Sequence, residues 1–309
     1  MRRMPLRTVA ITLASLALLM FAADALADSS SRELASYYEH HMALANGVAH
    51  GWVGRGEPRR MMTGVVQVGV SKDAYFALLA DGSLVTWADA PANATTLMRD
   101  VARFAAGASG WFAIDRAAVL WYGSTTGTPP RRVAEGVAEA CIGDSADYYI
   151  TREGTLFAHG LAHRGQYGDG KLTATSDFVA TARDAVAVKA HTGHAVHLRR
   201  DGVVMGTGGN RHGPLSSHGL GDKADRWGRL FDGAVAIATG SRHTLAIRAE
   251  GSGTQLWAWG EGFSIEPARL LDHVTAVAAG DTATIARTAD GSLWQWDGGG
   301  AAPRRLTLR

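Results

Sequence analysis

The sequence has one cysteine and almost no net charge. Cys141 stands alone among 309 residues, which excludes an intramolecular disulfide and any metal or iron–sulfur site built from several thiolates. The formal net charge is +2, too small for the strong positive field that attracts nucleic acid or an anionic membrane. Apolar residues make up 46% of the chain, which excludes a disordered protein.

The motifs of common catalytic sites are also absent. No Gly-x-Ser-x-Gly elbow occurs, and the glycine-rich segment 206–210 lacks the Gly-x-Gly-x-x-Gly spacing and the following helix that would bind phosphate. No local spacing selects a pair of carboxylates for acid–base work. The sequence therefore predicts no catalytic, cofactor-binding or metal-binding residues.

The first 27 residues have the layout of a secretory signal peptide. Three arginines precede an apolar run over 9–23, and Ala25-Leu26-Ala27 forms a small-residue cleavage site before Asp28. The run is shorter than the ~20 residues of a spanning helix, so we expect cleavage rather than a membrane anchor. Arg2-Arg3 resembles a twin-arginine signal except for Pro5, which leaves that route as an alternative. We expect a neutral, soluble, monomeric mature chain that is periplasmic or secreted.

The rest of the chain consists of seven repeats of about 40 residues. The clearest copies run from Val235 to Gly260 and from Val274 to Trp296. Each has an apolar run that leads into glycine, a second apolar run, an acidic-Gly pair and a Trp-x-Trp segment. The turn positions recur every 35 to 49 residues, at Gly47, Gly82, Ala118, Gly154, Gly202, Gly251 and Gly291.

Each repeat predicts four β-strands. The first run is small and β-branched, which suits a buried strand, and the acidic-Gly pair supplies the positive φ angles of a two-residue hairpin turn. The period of two places both rings of Trp-x-Trp on one strand face. Pro-Arg-Arg at 58–60, 130–132 and 303–305 suits an exposed edge strand, with a basic rim for an acidic partner as the alternative. We therefore predict an all-β fold, one seven-bladed β-propeller over 28–309.

The repeats resemble those of the regulator of chromosome condensation family. The best matches are Gly240 to Gly260 and Gly160 to Gly170, the latter with Gly165-Gln166-Tyr167-Gly168. The resemblance implies a binding platform for a protein partner rather than an enzyme. One member of the family is a nuclear exchange factor for a small GTPase that binds chromatin, and another is a secreted bacterial propeller that inhibits β-lactamases. Export and the short repeat length favour the second comparison.

Several histidines and the cysteine are expected to be structural. His41, His194 and His243 stand just before the second strand, as in the family's repeats, and are expected to form hydrogen bonds within the blade. His191, His194 and His197 are spaced by three, which places successive side chains on opposite faces of a strand and disfavours a shared metal. Cys141 takes a small-residue position of an inner strand and is expected to be buried and inert.

Two long spacings locate insertions in repeats 4 and 5, over 168–181 and 210–227. Long loops on a rigid scaffold often carry binding specificity, and Trp and Arg are enriched in binding hot spots. We therefore predict Tyr167, Arg211, Arg226 and Trp227 as partner contacts.

The sequence favours an exported, non-catalytic propeller that binds or inhibits another protein. Two alternatives stay open: an enzyme with a site in the central funnel, and an exported exchange factor for small GTPases. The enzyme needs inward-facing carboxylates, His or Tyr that converge at one end of the ring. Segments 31–38 and 303–308 are the candidates for the strand that closes the ring.

Overall fold

A computed structural model describes residues 32–108, 110–124, 128–216, 221–251, 253–297 and 302–308. The predicted signal segment 1–27 lies outside these ranges. Within them the chain forms 28 β-strands and one short 3-10 helix, Pro91–Asn93. None of the described helical segments has the length and hydropathy of a membrane span.

The strands form seven four-stranded antiparallel sheets, each made of consecutive strands, which confirms the predicted seven-bladed propeller. The first strand of each blade lines the central channel. These inner strands are β1 (Leu34–Tyr37), β5 (Val65–Val70), β9 (Val101–Gly107), β13 (Val137–Ile142), β17 (Ala185–Ala190), β21 (Ala234–Thr239) and β25 (Val274–Ala279). Their small and β-branched residues let seven strands approach one axis.

The other three strands follow outward in each blade. The second strands are β2 (His40–Ala45), β6 (Tyr75–Leu79), β10 (Gly110–Asp115), β14 (Ala146–Thr151), β18 (His194–Arg199), β22 (His243–Glu250) and β26 (Thr284–Thr288). The third strands are β3 (Val48–Val53), β7 (Leu84–Trp87), β11 (Leu120–Gly123), β15 (Leu156–Gly160), β19 (Val204–Gly209), β23 (Gly253–Gly260) and β27 (Leu293–Trp296). The outer strands are β4 (Arg59–Thr63), β8 (Thr95–Met98), β12 (Arg131–Ala134), β16 (Thr175–Ala182), β20 (Lys223–Phe231), β24 (Ala268–Asp272) and β28 (Arg304–Leu306).

The seven predicted turn positions all have positive φ, but most of the turns are longer than predicted. In blade 1, Asn46 and Gly47 form the expected two-residue turn, with φ of 50° and 74°. In blade 2 the amide of Leu79 donates to the carbonyl of Ser83, which leaves a three-residue loop that ends at Gly82. Blades 3, 4, 5 and 7 repeat this pattern. A type I turn followed by one left-handed residue fits the twist of the strands equally well, so a single glycine suffices.

Other features of the predicted repeat unit are confirmed. Trp257 and Trp259 share one face of β23, because both rings pack against Phe231, at 5.4 and 5.8 Å between centroids. The three Pro-Arg-Arg segments lie on or directly before the outer strands β4, β12 and β28. Arg131 interacts within its own blade, 5.0 Å from the centre of the Tyr122 ring, whereas Arg304 donates to the carbonyl of Gly56 in blade 1.

The ring closes by contacts between blades 1 and 7 and not by a strand that the two blades share. Segment 34–37 is the inner strand of blade 1, and segment 304–306 is the outer strand of blade 7, so each end completes its own blade. Leu34 and Trp52 of blade 1 pack in one buried cluster with Ile285 and Leu306 of blade 7. Both terminal segments therefore contribute to closure, as predicted, but through the interface between two complete blades.

Candidate functional site

Successive strands of a blade run in opposite directions, so the loops that join them emerge on two opposite faces of the disc. Loops from first to second and from third to fourth strands lie on one side, which we call the upper face; the remaining loops form the lower face. Backbone hydrogen bonds tie the two upper loops of a blade together. The amide of Leu161 donates to Ser145 at 2.6 Å, that of Gly209 to Gly193 at 2.8 Å, and that of Glu261 to Arg242 at 3.0 Å. The insertions of blades 4 and 5 therefore begin beside the mouth of the channel.

Three of the predicted contact residues lie together where blades 4 and 5 meet. The Tyr167 side chain is only 1% exposed, and its hydroxyl donates to the carbonyl of Gly160 at 2.6 Å. The half-buried Trp227 ring packs edge-on against His197, 4.4 Å between centroids. Arg226 is exposed, and its guanidinium lies over the bare backbone of Gly170. The buried Tyr167 side chain thus stabilises the insertion, whereas the exposed Arg226 side chain is accessible to a partner.

The fourth predicted residue, Arg211, lies elsewhere. It lines a groove of about 460 Å³ between blades 5 and 6, with the half-buried Phe263 and the exposed Ile265. His212 on the same loop contacts Glu261 of blade 6, with 2.6 Å between Nδ1 and Oε2. The predicted set is therefore split between two neighbouring seams of the upper face.

Three arginines of this sector lack a partner among the described residues. Arg164, Arg211 and Arg226 are exposed and form no ion pair or side-chain hydrogen bond with the part of the chain that the structure describes. Arg164 was missed by the sequence reasoning, although it lies in the matched segment from Gly160 to Gly170. Its side chain lies over Gly193 so closely that a β-carbon at that position would be only 2.9 Å from Nη1, and Arg164 therefore lies on the channel side of the insertion.

Exposed apolar side chains also gather on the upper face. Among the described residues, six large apolar side chains are 37% to 58% exposed: Tyr38, Val53, Val66, Leu161, Leu172 and Ile265. All but Val66 lie in upper loops or at the upper end of a strand. Single exposed apolar residues are ordinary, and only a group of them indicates a contact surface. Leu161 and Leu172 lie in blade 4 and Ile265 in blade 6, whereas Tyr38 and Val53 lie in blade 1.

A cluster of polar side chains closes the upper mouth of the channel. Tyr37 of blade 1 donates its hydroxyl to Asp144 of blade 4, and its ring stacks on His191 of blade 5, 5.0 Å between centroids. Blades 4 and 5 are farthest from blade 1 in a ring of seven, so the Tyr37 side chain spans the mouth. Asp144 also accepts a hydrogen bond from Thr192 at 3.1 Å. Burial and the Asp144 carboxylate both raise the pKa of Tyr37, which keeps its proton.

This cluster has the residue types of an acid–base site but not the geometry of a catalytic triad. The Nδ1 atom of His191 lies 3.2 Å from the Ser241 hydroxyl, 3.8 Å from Asp144 and 3.0 Å from the amide of Thr192. A triad needs its acid and its nucleophile on opposite ring nitrogens. Here both face Nδ1, whereas Nε2 is buried without a partner among the described residues. Burial lowers the pKa of His191, so the ring is neutral near pH 7.

The remaining predicted histidines are structural, with one correction. His194 and His243 bond to threonines of the next blade, not within their own, because the imidazoles point along the ring toward Thr244 and Thr284, at 3.2 and 3.0 Å. His41 stays within its blade, 2.8 Å from the Ser36 hydroxyl. No group of metal-ligating side chains is found in the described part of the chain.

Cys141 is buried in the predicted inner strand. It belongs to the core cluster between blades 4 and 5, and burial raises the pKa of its thiol to about 11. A thiol that keeps its proton is a weak nucleophile, as expected for an inert cysteine.

Comparison with known proteins gives a fold. No family model and no curated protein matches the chain. Among solved structures, Prp20p of Saccharomyces cerevisiae, the yeast RCC1, is 16% identical over 80% of both chains, with a TM-score of 0.67. Human WBSCR16 is 15% identical over 82% of this chain and 85% of its own, also with a TM-score of 0.67. The ectodomain of the Arabidopsis thaliana receptor kinase ACR4 is 12% identical over 91% and 98%, with a TM-score of 0.58. The resemblance seen in the repeats is thus confirmed in the fold: the chain is a seven-bladed propeller similar to yeast RCC1.

Proposed function

We propose that this chain is an exported, non-catalytic propeller that binds another protein through the upper face of blades 4 to 6. The observation that carries the proposal is that three of the five exposed apolar side chains of the upper face, Leu161, Leu172 and Ile265, lie in the same three blades as Arg164, Arg211 and Arg226. Prp20p, one of the solved structures with this fold, was studied for its binding to Gsp1p and histones. That property belongs to the yeast protein and shows only that the fold supports protein binding.

The chemistry of the sector indicates what a partner must offer. Burial of Leu161, Leu172 and Ile265 against a partner would contribute favourable free energy through the hydrophobic effect. Each arginine can form a bidentate hydrogen bond with a carboxylate. The partner surface should therefore combine apolar side chains with Asp or Glu. The loops are fixed to the blades by backbone bonds, so little entropy is lost on docking.

Export rests on the first 27 residues of the sequence. If the signal is cleaved after Ala27, mass spectrometry of the protein recovered from the periplasm or medium gives an N-terminus at Asp28. A recovered chain that still begins at Met1 would contradict cleavage and favour an anchored or internal protein.

Partner capture with matched variants tests the binding surface. The mature chain is immobilised and exposed to envelope extract and medium of the producing organism. An upper-face variant combines Leu161→Ser, Arg211→Ala and Ile265→Ser; a lower-face control combines Val66→Ser with Arg183→Ala. We expect one protein that the parent and the control retain and the upper-face variant loses. Equal retention by all three, or loss only in the control, would contradict the assignment.

The cluster at the channel mouth favours a second candidate, an enzyme with its site in the funnel. Carboxylate, imidazole and hydroxyl groups meet there, as that alternative requires. The buried Tyr37 hydroxyl and the shared Nδ1 atom of His191 are better suited to a structural closure. Turnover of hydrolase substrates by the purified chain that Asp144→Asn abolishes would establish the enzyme; turnover unaffected by this change would place any activity elsewhere.

A further inference from the structure

Two of the three charged side chains on the channel wall occupy one repeated position. Each inner strand of blades 2 to 7 has a bulge near its start. In blades 2, 3 and 4 the residue after the bulge is polar: Gln67, Arg103 and Glu139. In blades 5, 6 and 7 the same position holds alanine. Three neighbouring blades are therefore polar at this level, and the next three are apolar.

Three charged side chains meet on the polar side. Glu139 accepts from Arg103 at 3.1 Å and from Lys189 of blade 5 at 2.9 Å. One carboxylate thus serves two cations, and the group carries a net positive charge. The side chains of Arg103 and Lys189 are 32% and 26% exposed, against 14% for Glu139. Because all three line the channel, the cationic groups are the more accessible to a molecule inside it.

The channel is large enough for a small molecule and is apolar opposite these charges. Its volume is about 700 Å³, and small-molecule pockets span roughly 300–1,000 Å³. Ala187, Ala236 and Val277 belong to the apolar side. Tyr37 closes the upper mouth. At the lower end the lining includes Arg199, Arg200 and Asp201, and Asp201 pairs with Arg199 at 2.9 Å. The three side chains carry a net positive charge that favours the entry of an anion from below.

We propose that the channel binds a small organic anion with an apolar body, such as a medium-chain carboxylate. The carboxylate would accept hydrogen bonds from Lys189 and Arg103, and the hydrocarbon would lie along the alanine and valine wall. This site is separate from the upper-face contact surface, so either proposal can fail without the other.

Calorimetric titration with octanoate tests the proposal, with octylammonium as the control of equal length and opposite charge. Two variants change the charge of the site in opposite senses. Lys189→Gln removes a cation and should weaken octanoate binding by about tenfold, the value of one charge-assisted hydrogen bond. Glu139→Gln removes the competing carboxylate and should strengthen it. Each variant leaves the other two side chains able to bond, and thermal unfolding verifies the fold.

The unmodified protein provides a second measurement that does not depend on variants. Cys141 lines the same channel, and although burial raises the pKa of its thiol, a part of it is ionised at alkaline pH. Bound octanoate should then slow the modification of Cys141 by methyl methanethiosulfonate, as followed by mass spectrometry. Octanoate binding with the expected order of affinities and protection of Cys141 would support the site. No binding to the folded chain, equal affinity for octylammonium, or affinities that the two variants leave unchanged would overturn it.

Discussion

The indole of Trp52 donates a hydrogen bond of 3.0 Å to the side-chain carbonyl of Gln295, 243 positions later in the sequence. The first residue belongs to blade 1 and the second to blade 7, so this buried bond lies at the seam that closes the ring. The amide of Gln295 also donates to the carbonyl of Gly54 at 3.0 Å. Arg304 adds a hydrogen bond of 2.9 Å to Gly56. The seam is thus fixed by polar bonds as well as by packing.

We predict that Gln295→Ala weakens ring closure and lowers the stability of the whole domain. The substitution leaves the buried Trp52 N–H without a partner, which costs about 1–3 kcal/mol. Gln255→Ala is the matched control, since Gln255 bonds the half-buried Trp257 within one blade at 3.3 Å. Denaturant unfolding should show the larger loss for Gln295→Ala. An equal loss of stability in both variants would mean that the hydrogen bond at the seam contributes no more than one within a blade.

Stability should fall as the pH drops below about 6.5. Burial lowers the pKa of four histidines to about 3 or 4: His41, His194, His197 and His243. Between those values and the ordinary pKa near 6.5, the unfolded chain binds protons that the folded chain does not. Each histidine then contributes a loss of about 1.4 kcal/mol per pH unit. Burial raises the pKa of Asp147 to about 7, which stabilises the folded chain as the pH falls. This single group offsets only part of the loss that the four histidines cause.

The variant His243→Gln isolates one of these contributions. It removes a titrating group yet can still donate to Thr284. The loss of stability between pH 7.5 and pH 5 should be about 2 kcal/mol smaller than in the parent, because one histidine no longer binds a proton on unfolding. Denaturant unfolding at both pH values measures it. An equal loss of stability in the parent and the variant would show that His243 has the same pKa in the folded and the unfolded chain.

The closure of the upper mouth predicts a selective effect of Tyr37→Phe. Without the hydroxyl, the Tyr37 ring is no longer held by Asp144 across the channel, and small reagents gain access from above. Cys141 lines the channel, and its slow modification by a thiol reagent at alkaline pH, where part of the thiol is ionised, should become severalfold faster. Tyr38→Phe is the control, because Tyr38 is exposed beside the mouth. If both variants react at the parent's rate, Tyr37 does not close the channel.

The fold could be predicted because its signals are local and repeated. Gly47, Gly82 and Gly154 indicate turns regardless of which strands pair on either side. The pattern recurs in seven repeats, so each repeat supports the assignment of the others. The length of each turn could not be predicted from the sequence. An acidic-Gly pair fits either a two-residue or a three-residue loop, and the pairing register of the two flanking strands decides which one forms.

The candidate site could be predicted only in part. Loop length pointed to Arg211 and Arg226, which the structure places exposed on the upper face. It could not show that Tyr167 turns inward, since burial depends on how the insertion folds back on blade 5. The meeting of Tyr37, Asp144 and His191 was out of reach, because three repeats contribute one residue each and no spacing within a repeat records it.

Photo-crosslinking in cells that make the protein tests the central claim most directly. A photoreactive amino acid replaces Ile265 or Leu161 on the upper face, or Val66 near the lower end of its strand, positions with comparable apolar exposure. We predict a discrete adduct with one protein at Ile265 and Leu161 and none at Val66. An adduct only at Val66, or the absence of adducts at both upper-face positions in folded protein, would contradict the proposed binding surface.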